Sequence, residues 1–280
     1  MNGLGLPSAK RVSLLVMWAF IEHAQMFFCL PRVGPPVLVA VVDRAGRGGT
    51  RKVKAAFEAV ETRYAESGHT LQRPVSAEIV AIPIMGASKS LKDRHTLYVS
   101  VRAVESGLLD GLIAHEAGHM LRTEAGHPSH GPDVFRLIAK EVRIPRAAEA
   151  AFGQAFNHIQ DIYADDLAFP VFAGTDGRRA YEFFSGWVEN NATMRGKNRW
   201  QNLGLAASNG FAIGNLVRHD LIGSDDKLWD RGRAFDREAG FQAVDALAEF
   251  YAKLPENPSS DGFIAEVTRL AAIMSKASAT

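Results

Sequence analysis

The order of secondary structure along the chain constrains the fold more than any other feature of the sequence. Strand-like runs, rich in β-branched residues, precede residue 105, and helical patterns follow it. The polar segment GASKSLKDRH (86–95) between two of these runs is expected to be a loop. Helices that follow a few strands pack on one face of a small sheet. The sequence therefore predicts an α+β fold, with a small, mainly antiparallel sheet and a helical C-terminal half. The predicted strands are VLVAVVD (37–43), AEIVAIPIM (77–85) and TLYVSVRAV (96–104).

Hydrophobic periodicity divides the helical part into separate segments. The segment 124–132 is expected to be a loop because it contains Gly126, Pro128, Gly131 and Pro132, and FPVFAGTDG (169–177) is expected to be another. The chain is therefore divided into an N-terminal apolar helix with a linker (1–36), a core (37–170) and a helical region packed on that core (171–280). Helices are predicted over 50–67, 106–123, 133–142, 146–167, 177–191, 199–221, 239–253 and 259–276.

Composition excludes several classes of protein. The 280 residues are 47% hydrophobic, as in a globular protein, and the net charge of +1 argues against a nucleic-acid partner. The single cysteine, Cys29, cannot form a disulfide within the chain, which is typical of a cytoplasmic protein. The N-terminal run VSLLVMWAFIEHAQMFFCL contains charged and polar residues, so we expect a buried helix and no membrane span. The oligomeric state is not readable from the sequence.

The segment LIAHEAGHML (112–121) contains His115, Glu116 and His119 in the pattern H-E-x-x-H. On a helix, residues four apart project from the same face, so both imidazoles can reach one Zn²⁺ ion. The intervening glutamate then lies beside the ion, where it can take a proton from water. Gly118 allows another helix to approach closely. The pattern predicts a catalytic zinc site with Glu116 as general base.

A catalytic zinc ion needs a third protein ligand. Downstream, FNHIQDIYADDLAFP places Asn157, Asp161 and Asp165 along one face of a predicted helix. The segment Asp161-Ile162-Tyr163-Ala164-Asp165 resembles the E-x-x-A-D signature of gluzincin-type peptidases, and the strand, strand and helix order resembles the minigluzincins. This resemblance implies that Asp161 binds zinc and that Asp165 orients a histidine of the first motif. The chain departs from the family in having aspartate, one methylene shorter, where glutamate is usual.

A second ligand assignment stays open at this stage. The segment HGPDVF (130–135) is similar to the H-G-x-x-F element of SprT-type proteases, which implies that His130 is the third ligand. His127 and His158 are weaker candidates.

These motifs predict a zinc-dependent metallopeptidase acting on a peptide or protein substrate. The alternatives are a zinc-stabilised regulatory or interaction protein and a SprT-like protease. The residue that stabilises the oxyanion is not identified by sequence. By residue type, the candidates are Tyr163, His127, His158, Arg218 and His219.

Overall fold

A four-stranded sheet lies near the start of the computed structural model, which describes residues 37–172 and 177–279. Its strands lie side by side in the order β1-β2-β4-β3. The pairs β1–β2 and β2–β4 are parallel, and β3–β4 is antiparallel. The α+β class is confirmed, but the expectation of a mainly antiparallel sheet is wrong. The strands are β1 (Leu38–Asp43), β2 (Val75–Val80), β3 (Gly86–Ser90) and β4 (His95–Ser100).

The connections between the strands explain their directions. Helix α1 (Thr50–Glu66) joins β1 to β2, and a helical crossover of this kind makes two strands parallel. After β2, residues 81–85 lead the chain to the sheet edge, where β3 begins, and β4 then returns between β3 and β2. The segment predicted as a loop therefore contains β3. Its sequence GASKS has no β-branched or aromatic residue, so the strand depends on pairing with β4.

The helices after the sheet follow the predicted pattern with four differences. Residues 101–104, predicted as the end of the strand TLYVSVRAV, belong to a short helix that Ser100 caps. The helix predicted to end at 167 continues through Pro170 to Phe172, so residues 169–172, expected in a loop, are helical. Residues 227–239 form a helix that was not predicted, although Asp226 caps its start and Gly240 ends it with φ 76°. The helix predicted from 239 begins at Val244. The helices are α2 (Val101–Glu105), α3 (Leu109–Glu124), α4 (Val134–Glu141), α5 (Glu149–Phe172), α6 (Arg178–Thr193), α7 (Arg199–Arg218), α8 (Lys227–Ala239), α9 (Val244–Ala252) and α10 (Ser260–Ala279), with 3₁₀ turns at Pro128–His130 and Arg146–Ala148.

Residues from Val37 onward form one compact unit with two clusters of buried side chains. One cluster joins the sheet to α1 and α3, and the other joins α5 to the helices that follow it. On α5 the second cluster includes Phe152, Phe156, Ile159 and Tyr163, and on α3 the first includes Leu109, Ile113, Ala117 and Met120. The N-terminal segment 1–36, predicted as a helix and linker, lies outside the described residues. None of the helices within the described ranges has the length and apolar character needed to cross a membrane.

Candidate metal centre

The two sequence motifs meet where α3 and α5 pack together. A methyl group on Gly118 would lie 2.5 Å from the carbonyl oxygen of Ala164, closer than real contacts allow. Glycine at this position therefore permits the close approach that the sequence predicted. As a result, His115 and His119 on α3 face Asp161 and Asp165 on α5.

Three potential ligand atoms converge on one point. The Nε2 atoms of His115 and His119 are 3.1 Å apart, and Oδ1 of Asp161 lies 3.8 Å from the first and 3.4 Å from the second. Within the described part of the chain, His115, His119 and Asp161 form a group that could hold a metal ion. The shorter aspartate reaches the histidines because the helices are close.

The dimensions of this triangle fit a tetrahedral zinc ion. With ligand bonds of about 2.0–2.1 Å, two ligands on a tetrahedral ion are roughly 3.3 Å apart. The three observed distances, 3.1, 3.4 and 3.8 Å, bracket that value. Imidazole nitrogen and carboxylate oxygen are also ligands that zinc accepts. The residues present therefore fit the ion that the motif predicts.

His115 is held from behind by a carboxylate. Its Nδ1 lies 2.7 Å from Oδ1 of Asp165, as predicted for the orienting residue. Asn215 on α7, which the sequence analysis did not single out, donates from Nδ2 to Oδ2 of Asp165 at 2.6 Å. Burial lowers the pKa of His115, but the carboxylates of Asp165, Asp161 and Glu116 together outweigh burial and raise that pKa to about 10, with Asp165 contributing most. The ring is thus oriented and made more basic, which strengthens Nε2 as a ligand.

His119 is held from behind by a different arrangement. Its Nδ1 lies 2.7 Å from Nε2 of His130, and Nδ1 of His130 lies 2.7 Å from Oγ of Ser129. The same hydroxyl oxygen lies 2.7 Å from Nδ1 of His127. His130 therefore lies on the side of His119 away from Asp161. This geometry favours Asp161 over His130 as third ligand.

The direction of these hydrogen bonds follows from one backbone group. The N–H of Ser129 donates to Nδ1 of His127, so that nitrogen carries no proton. The Ser129 hydroxyl then donates to the same nitrogen and accepts from Nδ1 of His130. Nε2 of His130 is left as an acceptor, and Nδ1 of His119 must donate to it. A neutral His119 consequently presents an unprotonated Nε2 to the metal position.

His130 and His127 are uncharged because they are buried. Burial lowers the pKa of His130 to about 2 and that of His127 to about 4. Both rings are therefore uncharged at neutral pH. They fix the orientation of His119 without adding charge next to it.

Asp161 has a partner for its second oxygen. Oδ2 lies 3.1 Å from Nδ1 of His158, whose Nε2 lies 2.9 Å from Oγ of Ser208. Burial raises the pKa of Asp161, but its contacts with the rings of His119 and His158 and the charge of His115 hold that pKa below its usual value. Asp161 therefore stays ionised, as a metal ligand must be. His158 also stacks on Phe211, with ring centroids 4.3 Å apart, and this packing holds the ring that contacts Asp161.

Glu116 lies next to the cluster at the wall of a cavity. The cavity has a volume of about 440 Å³, and His115, Glu116, Asp161 and Asp165 line one side of it. Glu116 is buried, with 6% of its surface exposed to solvent. A small molecule or chain segment in the cavity would therefore reach both the ligand cluster and this carboxylate.

The remaining sequence candidates lie elsewhere. Arg218, a candidate by residue type, forms a partly buried two-point ion pair with Asp166 at 2.6 and 2.9 Å. His219 stacks on Phe169, with ring centroids 3.9 Å apart. The Tyr163 ring packs on His127, away from the cavity lining. Asn157, which shares the predicted face with the two aspartates, is exposed to solvent.

Residues 46–273 match the family of unknown function DUF5781, so the chain belongs to that family. No curated protein and no solved structure shows significant similarity to the chain. The family assignment carries no activity, so the function has to be argued from the site itself.

Proposed function

We propose that the protein is a zinc-dependent metallopeptidase in which His115, His119 and Asp161 hold the ion and Glu116 is the general base. The proposal is supported above all by the triangle of three ligand atoms, with sides of 3.1, 3.4 and 3.8 Å, beside a glutamate that lines a cavity. It also accounts for the partners behind both histidines, which leave both Nε2 atoms turned toward Asp161.

The open side of the cluster favours catalysis over a purely structural role. Structural zinc sites are closed by four protein ligands, whereas catalytic sites have three and keep one position for water. Among the described residues, the group consists of His115, His119 and Asp161, and His115 and Asp161 border the cavity. A structural site would also have no use for Glu116 at that position.

The roles of the residues follow from this arrangement. A zinc ion bound here would lower the pKa of a water molecule to about 7 and polarise a substrate carbonyl group. The Glu116 carboxylate would accept a proton from a water molecule in the site and deliver it to the leaving amine. Asp165 and His130 hold the two imidazoles in place, and the buried walls around Glu116 restrict access of bulk water.

A peptide is the substrate class that suits the surroundings of the site. Strand β3 lies at the edge of the sheet and pairs with β4 in the described part of the chain. Met85 and Gly86, at the start of this strand, line the same cavity as His115 and Glu116. An edge strand offers unpaired backbone groups to which an extended peptide can add as a further strand. The scissile bond of such a peptide would pass close to the cluster.

The test is the Glu116→Gln variant of the full chain, loaded with zinc and incubated with a peptide library prepared from a digested proteome. Cleavage, measured by mass spectrometry, should fall by about 10²–10⁴-fold because an amide cannot accept the proton. Zinc content and circular dichroism should match those of the wild type. Glu105→Gln, which changes an exposed glutamate at the end of α2, is the matched control and should keep full activity.

Two results would contradict the proposal. One is cleavage by Glu116→Gln at the wild-type rate, which would exclude the general base. The other is a zinc-loaded wild-type protein that cleaves no peptide in the library.

A further inference from the structure

We propose that the cavity beside the metal cluster binds a large apolar side chain of the substrate, aromatic by preference, next to the bond that is cleaved. This inference rests on the proposed peptidase function and adds the specificity that the function alone does not give. The evidence is the aromatic lining of the cavity, its volume, and the exposure of two apolar side chains that line it.

Six of the side chains that line the cavity are aromatic. They come from three consecutive helices, α5, α6 and α7, which all contribute rings to the lining. These residues are Phe169, Phe172, Phe183, Phe184, Trp187 and Phe211.

Three of these rings, those of Phe184, Trp187 and Phe211, contact one another and form a continuous surface. Phe184 and Trp187 are stacked, with an interplanar angle of 9°, and the Phe211 ring meets both of them edge to face at centroid distances of 5.6 Å. Phe184 and Phe211 are buried behind this surface. An aromatic ring of a ligand would meet further ring faces and edges here, in the geometry that aromatic pairs prefer.

The mouth of the cavity is apolar and exposed. Phe183 is 40% exposed and Ile84 is 53% exposed, and both line the cavity. Large apolar side chains left in contact with water at the entrance of a pocket are typical of binding surfaces. A substrate side chain that enters would cover both of them.

The volume agrees with this ligand class. An apolar cavity of about 150 Å³ is enough to bind benzene. The 440 Å³ cavity can therefore take one aromatic side chain together with the adjoining backbone. In the described part of the chain, the charged residues in the lining are those of the metal site and Arg102. A charged substrate side chain at the aromatic end would lose its hydration without gaining a partner.

The first experiment uses the wild-type protein with the peptide library and determines the residues on each side of every cleaved bond. Phe, Tyr, Trp, Leu and Met should be enriched at one of the two flanking positions. Efficient cleavage with no apolar preference at either position would overturn the inference and leave the peptidase function standing.

The second experiment measures binding without hydrolysis. The Glu116→Gln protein is titrated with N-acetyl-L-phenylalaninamide or N-acetyl-L-alaninamide, and binding is followed by isothermal titration and by tryptophan fluorescence, because Trp187 lines the cavity. The phenylalanine compound should bind about 10–100-fold more tightly, as expected for burying an aromatic side chain. Equal affinity for the two compounds would overturn the inference.

A matched pair of variants locates the binding site. Phe183→Ala removes a 40% exposed ring that lines the cavity, and Phe135→Ala removes a more exposed ring, at 59%, on α4 that does not line the cavity. The first should weaken phenylalaninamide binding by about fivefold, and the second should leave it unchanged. Phenylalaninamide binding that depends on Phe183 in a protein that cleaves no peptide would support the pocket and reject the peptidase function. Equal effects of the two variants would reject the pocket.

Discussion

The two histidines of the candidate metal centre lie one helical turn apart, yet the regions behind them differ in chemistry. Behind His115, on the α5 and α7 side, a buried carboxylate is held by an amide, with Asp165 at 2.7 Å and Asn215 donating to it. Behind His119, on the side of the 3₁₀ turn, the partner is His130, also at 2.7 Å. The hydrogen bonds are equal in length, but one partner carries a charge and the other does not.

This difference separates two functions of the residues behind a metal ligand. A carboxylate both orients an imidazole and makes it more basic, whereas a neutral imidazole only fixes its orientation and tautomer. We therefore expect the Asp165 side to contribute more to zinc affinity than the His130 side. The following variants test this order, beginning with the ligand that the two sides share.

Asp161→Ala should have the largest effect because it leaves two protein ligands. Residues that act through a ligand typically contribute about 10–100-fold to zinc affinity. The loss of a ligand itself should lower that affinity by more than this. A competition titration with a chromophoric chelator measures the loss. Asp166→Asn is the control, since this neighbouring carboxylate faces Arg218, and it should retain zinc.

The opposite result would change the ligand assignment. If Asp161→Ala kept its zinc and His130→Ala lost it, His130 would be the third ligand, as in the SprT-like alternative.

Asp165→Ala should come next, with a loss of about 10–100-fold in zinc affinity. Asp165→Asn keeps an oxygen that accepts from Nδ1 of His115 but removes the charge, so it should lie between the wild type and the alanine variant. The same chelator titration measures both. Equal losses in the two variants would show that charge alone matters, and no loss in either would remove Asp165 from the site.

His130→Ala should have the smallest effect of the three, at most about tenfold, because it removes orientation but no charge. His130→Gln supplies an amide oxygen that can accept the same hydrogen bond, and it should restore most of the affinity. Nitrogen-15 NMR of the imidazole rings should show the Nδ1–H form of His119 in the wild type and a mixture of tautomers in the alanine variant. A loss larger than that of Asp165→Ala would invalidate the comparison.

Much of the candidate site could be predicted from local sequence. The spacing of His115 and His119 and the segment from Asp161 to Asp165 each belong to one helix, where residue separation determines which side chains share a face. Gly118 indicated the close approach of a second helix, and the structure confirms that contact. The presence of zinc and the peptidase activity remain predictions.

The rest depends on contacts between distant segments, which no local pattern reports. Asn215 lies 50 positions after Asp165, and the aromatic wall combines residues from three helices. His130 stood out only as a possible ligand, because sequence does not show on which side of His119 it lies. Strand β3 and the parallel strand pairs were missed for the same reason, since both depend on where the chain crosses the sheet.

The proposed peptidase function depends on the binding of one zinc ion by His115, His119 and Asp161. The most direct test is metal analysis of the full chain purified without added zinc, followed by a crystal structure with anomalous data collected at the zinc absorption edge. We expect about one zinc per chain and an anomalous peak within about 2.0–2.2 Å of the Asp161 carboxylate and of both Nε2 atoms. A protein that takes up no zinc, or a peak that lies away from these three side chains, would contradict the account.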